Sequence, residues 1–323
     1  MNRRGLALAG MASLVLPQAW AQAAKEPRRV GVLGIGSVAG GSPIEQALAD
    51  GLRTQGYLQG RDIVLDARWG GGRTEGLPQL AGQLAAMKPA VIVTSGPQAT
   101  QAVLAADPDV PIVALLGDTV GLGFAAQLGR PGGRLTGVSF LGTPLNAKRL
   151  ELLAELLPKG SAVLNLCDPG THRAAAIDNI NSAASALGLV SHVACAGTSQ
   201  EIDVAFSAAR RLRVAGINVL GSAFLNGNRA RIIELAAKVR LPAIYQWPQT
   251  ARDGGLLAYG PSTTAMHQQL AALVARILGG AKAGELPIEQ PTKFELVINL
   301  KTAKAIGAAI PQALLLRADE VIQ

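Results

Sequence analysis

The sequence predicts an α/β protein built as two doubly wound (Rossmann-like) lobes joined by a multi-strand hinge. Three observations carry that expectation. Short, almost uninterrupted apolar runs alternate with longer segments of helical apolar spacing, the pattern of strands buried on both faces of a parallel sheet. The alternation occurs twice, on either side of a glycine-rich passage over residues 121–142. Small or polar residues also follow most of the predicted strands, where open parallel sheets hold their ligands.

The elements follow in order. Residues 29–35 form the first strand and 43–56 the first helix, with Pro43 suited to a first helical turn. Strands at 62–69, 90–94 and 111–116 alternate with helices at 75–87 and 98–106, and a strand at 135–140 closes the first series. The next helix carries Leu145, Leu152, Leu153, Leu156 and Leu157 on one broad face and stops at Pro158-Lys159-Gly160.

The second series has strands at 162–166, 190–194, 216–220 and 242–245, with helices at 172–187, 201–213 and 228–239. A short strand at 255–259 precedes a helix at 263–278, whose Met266, Leu270, Leu273 and Ile277 make one stripe. An extended segment at 285–291, a strand at 294–299 and a helix at 300–306 finish the chain. Residues 29–140 and 255–284 are assigned to lobe one, and 141–254 and 285–323 to lobe two.

Composition narrows the function. With 49% apolar and 16% charged residues the 323-residue chain is not disordered. Three scattered His and two distant Cys offer no metal-ligand pair. The formal charge is +8, but the clusters Arg210-Arg211-Arg213 and Arg229–Arg240 contain no aromatic residue, so nucleic acid is not an expected partner. No G-x-S-x-G, H-E-x-x-H or phosphate loop ending in Lys-Ser/Thr is present, so no catalytic residues are assigned. Gly34-Ile35-Gly36-Ser37-Val38-Ala39 satisfies a loose dinucleotide fingerprint, which leaves a nucleotide-dependent Rossmann enzyme as a rival reading. Gly40-Gly41-Ser42-Pro43 delays the helix whose N–H groups would meet the pyrophosphate, so a loop without any cofactor is the better account.

Residues 1–23 read as a signal peptide. Arg3 and Arg4 begin it, residues 6–16 form an uncharged apolar run, and Ala19-Trp20-Ala21 or Ala21-Gln22-Ala23 offers the cleavage site. The run is too short to span a bilayer, which needs about 20 residues. Export to the periplasm is therefore expected. Cys167 and Cys195 each end an apolar run. On neighbouring strands in an oxidising compartment they would be placed for a disulfide; otherwise they are two separate buried thiols.

The candidate ligand-binding residues are those following the strands: Gly36 and Ser37; Ser95, Gly96 and Gln98; Asp118; Asp168 and Thr171; Ser222 and Phe224; Tyr245 and Trp247. Ser and backbone N–H groups at helix starts suit a carboxylate, and Asp118 or Asp168 an amine or hydroxyl. Phe224, Tyr245 and Trp247 are placed to stack on a flat solute. Each has an ordinary alternative, since Ser or Thr ahead of a helix is also a common N-cap.

Several motifs resemble one family. They are Arg130-Pro131-Gly132-Gly133 followed by Thr136-Gly137-Val138-Ser139, then Pro242-Ala243-Ile244-Tyr245 and Tyr259-Gly260-Pro261-Ser262, and above all the run from Leu286-Pro287-Ile288-Glu289-Gln290-Pro291 to Gly307. Together they resemble the ABC-transporter substrate-binding proteins that include tryptophan and phenylalanine binders. The resemblance implies a type I periplasmic-binding-protein fold, three hinge crossings, and a monomer that delivers a small-molecule solute to an ABC permease and its ATPase in the inner membrane. It favours an amino acid, aromatic or branched, and places residues 95–99, Asp118 and the Asp168 turn at the pocket. A ligand sensor for a membrane signalling protein would use the same fold.

Overall fold

The computed structural model describes residues 26–36, 43–140 and 142–323. The expected signal peptide and Ser37 lie outside the described residues.

The chain folds as β1 (Arg28–Gly34), α1 (Pro43–Thr54), β2 (Ile63–Trp69), α2 (Leu77–Ala86), β3 (Val91–Ser95), α3 (Pro97–Ala106), β4 (Ile112–Leu116) and β5 (Leu135–Ser139). These strands make one parallel five-stranded sheet in the order β2-β1-β3-β4-β5. Val91, Ile92, Val93 and Thr94 are buried, because a parallel sheet covered on both faces leaves no polar side for alternation. In β5 the chain comes so close to β4 that a Cβ on Gly137 would run into the Ala114 carbonyl, which only glycine avoids.

The second unit comprises α4 (Gly142–Ala154), β6 (Ala162–Cys167), α5 (Ala174–Ala186), β7 (Val190–Cys195), α6 (Ser199–Arg211), β8 (Gly216–Val219), α7 (Ala223–Gly227), α8 (Arg229–Lys238), β9 (Ala243–Tyr245), α9 (Pro248–Arg252) and β10 (Leu257–Pro261). The chain then returns to the first lobe as α10 (Thr263–Leu278), and ends in the second with β11 (Phe294–Asn299), α11 (Leu300–Ile306), α12 (Gln312–Leu315) and β12 (Glu320–Ile322). The second sheet has seven strands in the order β12-β11-β10-β9-β8-β6-β7, with β11 antiparallel to β10. Its β7-β6-β8-β9-β10 portion repeats the winding of the first sheet.

One boundary differs from the sequence expectation. Strand β10, assigned to lobe one with residues 255–284, pairs with β9 and β11 in the second sheet. The helix after it does return: Met266, Leu270, Leu273 and Val274 of α10 pack with Val30, Val32, Val93 and Leu48 in the first lobe's core.

Among the described residues the chain passes from the first lobe to the second after Phe140, back around Ser262, and across again after Glu289. The last two crossings are tied together, since the Ser262 N–H donates to the Lys293 carbonyl at 3.1 Å. Before the third, residues 288–289 lie beside β5. There the Ser139 N–H donates to the Glu289 carbonyl at 2.8 Å, and the Glu289 N–H to Gly137 at 2.9 Å.

Candidate ligand site

Each sheet reverses its strand order at one point, and open α/β sheets leave a crevice there. In the first sheet the point lies between β1 and β3, whose ends are Gly34-Ile35-Gly36 and Ser95-Gly96-Pro97-Gln98. In the second it lies between β6 and β8, which end in Cys167-Asp168 and Leu220-Gly221-Ser222. The fold sets these points against each other. Gln98 Nε2 donates to Asp168 Oδ2 across the boundary at 3.3 Å. Asn228 Nδ2 donates to the Gly72 carbonyl at 3.1 Å.

The approach is close enough to require glycine. Gly96 has φ +92°, and a Cβ there would lie 2.7 Å from the Ala223 Cβ of the other lobe. A Cβ on Gly227 would fit, touching the Cα atoms of Gly36 and Gly72 at an ordinary 3.6 Å.

The second lobe supplies most of the polar chemistry. Asp168 is 2% exposed. Its Oδ1 accepts the Gly170 N–H at 2.8 Å, and Oδ2 accepts the Thr171 hydroxyl at 2.8 Å as well as Gln98. The Asp168 N–H donates to His172 Nδ1 at 3.1 Å. Burial holds the His172 pKa below its ordinary value, and Arg149 adds to that against the opposing pull of Asp168. Asn146 Oδ1 accepts both the Gly221 N–H, at 3.0 Å, and Arg149 Nη2. Arg149 is fully buried, and burial pushes its pKa down to about 9.

Several buried polar atoms have no hydrogen-bond partner among the described residues: Gln98 Oε1, Arg149 Nε, Asn218 Oδ1, both amide atoms of Gln246, and the Trp247 indole N–H. A protein interior normally pairs such groups, and each one left unmade costs about 1–3 kcal/mol.

The aromatic residues divide differently from the sequence expectation. Trp247 stands edge-to-face with Phe140 of the hinge, with ring centroids 5.2 Å apart. Phe224 and Tyr245 do not join them. Both are buried in one apolar cluster with Leu166, Ile217 and Ala243, as Phe140 and Trp247 are in another with Val93 and Val113, and burial pushes the Tyr245 phenol pKa up. Asp118 is also not brought to the cluster: it is exposed, and its Oδ1 accepts the Gly121 N–H at 2.8 Å as a local turn cap. Ser222 caps α7 through the Leu225 N–H at 2.9 Å. Ser95 stands half-buried at the end of β3. Gly36, Gly96, Gln98, Asp168 and Thr171 do meet at the lobe boundary.

The structure adds residues that sequence reasoning passed over, namely Asn146, Arg149, Gly221 and Trp69. Arg149 lies four residues after Leu145 and three before Leu152, so it is a lone cation on an apolar helix face, and that was a legible signal. Trp69 packs over Gly34 and Gly36 and donates its indole N–H to Glu45 Oε1 at 2.7 Å. Those glycines therefore make room for an indole where the dinucleotide fingerprint would have placed a pyrophosphate.

Cys167 and Cys195 sit opposite each other in the β6–β7 register and form a disulfide, with Cα atoms 4.3 Å apart. A groove of about 810 Å³ runs along α2 and α3, past Pro78, Ala105 and Phe124, and reaches the lobe boundary at Gln98, Gly170 and Arg173. It borders the polar cluster and shares Gln98 and Gly170 with it. Among the described residues no group of three or more His, Cys, Asp or Glu could hold a metal ion, and no helix is long and apolar enough to cross a membrane.

Comparison with known proteins agrees with this architecture. The family model described as ABC transporter substrate binding protein matches residues 29–322. A conserved domain protein of Vibrio cholerae O1 biovar El Tor strain N16961 superposes with a TM-score of 0.83 at 26% identity, covering 92% of this chain and 100% of that one. The ABC domain of Streptococcus pneumoniae solved in complex with L-Trp gives 0.81 at 22% identity, with the same coverages. The tyrosine-binding protein of Clostridioides difficile (strain R20291) is 23% identical over 261 residues, which is 79% of this chain and 74% of that protein. Such proteins bind solutes and are not enzymes. The family match spans both lobes, and this chain belongs to the ABC transporter substrate binding protein family.

Proposed function

We propose that the protein is an exported receptor that captures an amino acid with an aromatic side chain between its lobes. It then delivers the solute to an ABC importer, made of a permease and its ATPase in the inner membrane. The observation that carries this reading is the set of buried polar atoms without a partner among the described residues just after strands β3 and β9, on Gln98, Gln246 and Trp247. A solute with its own donors and acceptors would satisfy them, and a wrong solute would leave each mispaired at about 1–3 kcal/mol. Phe140 and Trp247 offer an aromatic wall beside that set. The L-Trp complex and the tyrosine-binding protein among the relatives favour the same solute class.

Closure works by differential contact. A solute that touches both lobes only when they meet shifts the population toward the closed form. The disulfide and the charged-then-apolar start of the chain both favour a periplasmic location, because such bonds persist in oxidising compartments.

A thermal-shift panel of the common L-amino acids, simple sugars and carboxylic acids tests the reading. A solute at a hundred times its Kd stabilises a fold by about 2.7 kcal/mol, which raises Tm by roughly 4 °C at this size. An aromatic amino acid is expected to give the largest rise. A panel in which only sugars shift Tm, or nothing does, overturns it.

A further inference from the structure

Among the described residues Arg149 is the one buried lysine or arginine, and it has no carboxylate partner. Its Nη1 donates to the Tyr259 carbonyl at 3.0 Å and Nη2 to Asn146 Oδ1, while Nε has no acceptor. Its direct hydrogen-bond partners are neutral amide groups, and the His172 imidazole, whose pKa it helps to lower, lies near it. Asn146 sits one turn earlier on α4, and Asn218 on β8 donates to the Asn146 carbonyl at 3.4 Å and to Asn165 Oδ1 at 3.0 Å. Asn218 Oδ1 itself is unpartnered. A buried cation held only by dipoles is an unusual arrangement, since interior charges are ordinarily paired.

The arrangement has a direction. From Arg149 it passes through Asn146 Oδ1 to the Gly221 N–H, at the carboxyl end of β8. Gly221 lies against Gln246, whose Oε1 would be 2.5 Å from a Cβ placed on the glycine, and both amide atoms of Gln246 are buried without partners. The line therefore runs from a charge inside α4 to unsatisfied donors and acceptors at the crevice of the second lobe.

We infer that Arg149 is the counter-charge for an anionic group, a carboxylate, that the solute seats at the Gly221–Gln246 end of this line. Arg149 is a positioning residue. Its charge acts on the solute through space, across the Asn146 amide and the Gly221 peptide whose N–H is given to Asn146, and it sets which charge the solute must carry. The inference rests on the receptor reading above and deepens it by assigning the pole that recognises the acid.

Two variants test it. Asn146→Asp keeps the acceptor oxygen for Gly221 and Arg149 and supplies a carboxylate from within, so Arg149 no longer needs one from the solute. Arg149→Gln removes the charge outright. The readout is calorimetric affinity for L-tryptophan and L-tyrosine against their carboxamides, with a melting curve for each variant. The native protein is expected to bind acid at least tenfold more tightly than amide. Asn146→Asp is expected to melt at or above the native temperature, to lose at least tenfold in affinity for the acid, and to lose the preference for acid over amide. Arg149→Gln is expected to lose that preference too.

Equal binding of acid and amide by the native protein overturns the inference. So does an Asn146→Asp protein that keeps the native preference, which would make Arg149 purely structural. The failures are separable through the solute panel. A ligand that is a carboxylic acid but not an amino acid upholds the anionic pole while retiring the amino-acid reading. An uncharged ligand, or a panel with no carboxylate among its ligands, retires the pole.

Discussion

The two crevices that face each other are built alike and furnished differently. The first lobe brings small residues and backbone to the boundary: Gly36, Ser95, Gly96 and the Gly72 carbonyl, with Gln98 as its long polar arm. The second brings Asp168, His172, Asn146, Arg149 and Gln246, all buried. On our proposal one lobe gives shape and the other gives chemistry. Such a division suits capture followed by closure. The solute is recognised by the polar lobe, and the glycine-rich lobe then approaches closely enough to exclude water, which strengthens every polar contact inside.

The polar lobe is also the braced one. Cys167 immediately precedes Asp168, and its bond to Cys195 fixes the ends of β6 and β7 beside the site. The largest test of the contrast breaks that brace. Replacing both cysteines by serine is expected to lower stability by about 3–4 kcal/mol, from the entropy of the 28-residue loop the bond closes. The added hydrogen exchange is expected in β6 and β7, with β1 and β3 keeping their protection. Equal loosening of both lobes would show that the brace is not local to the polar side.

A smaller test compares two aspartates. Asp168→Asn is expected to weaken solute binding about tenfold, since one charged hydrogen bond is worth roughly 1.5–3 kcal/mol. Asp118→Ala removes only an exposed turn cap, so it is expected to leave affinity within about twofold and to cost no more than about 1 kcal/mol of stability. Calorimetry on the two proteins decides. Similar losses in both would return Asp118 to the pocket and blur the division between lobes.

Much of the fold was legible because it is local. The helix expected at 263–278 and the strand expected at 294–299 match α10 and β11 residue for residue, since a period of 3.6 or a short apolar run needs no distant partner to be recognised. The allegiance of β10 was not legible. Its apolar run fits either sheet, and only the pairing of Tyr259 with Leu296 and of Ala258 with Tyr245 settles it.

The site was half legible for a related reason. The ends of β1, β3 and β6 were named from topology, and Gly36, Gly96, Gln98 and Asp168 do meet. Phe224 and Tyr245 were expected at the crevice, and their side chains lie in an apolar cluster, because a one-residue shift along a strand or turn changes which face a side chain takes. Arg149 was missed although its position among the leucines of α4 announced it, as did Asn165 and Asn218 in otherwise apolar strands. Each is a polar residue in a place otherwise filled by apolar ones.

The central claim is that a solute is held between lobes that move. Small-angle X-ray scattering of the full protein, titrated with the amino acid that most raises its Tm, measures this most directly. The account predicts a radius of gyration that falls on addition and saturates at the concentration where calorimetric binding saturates. A radius that stays constant through saturation contradicts it.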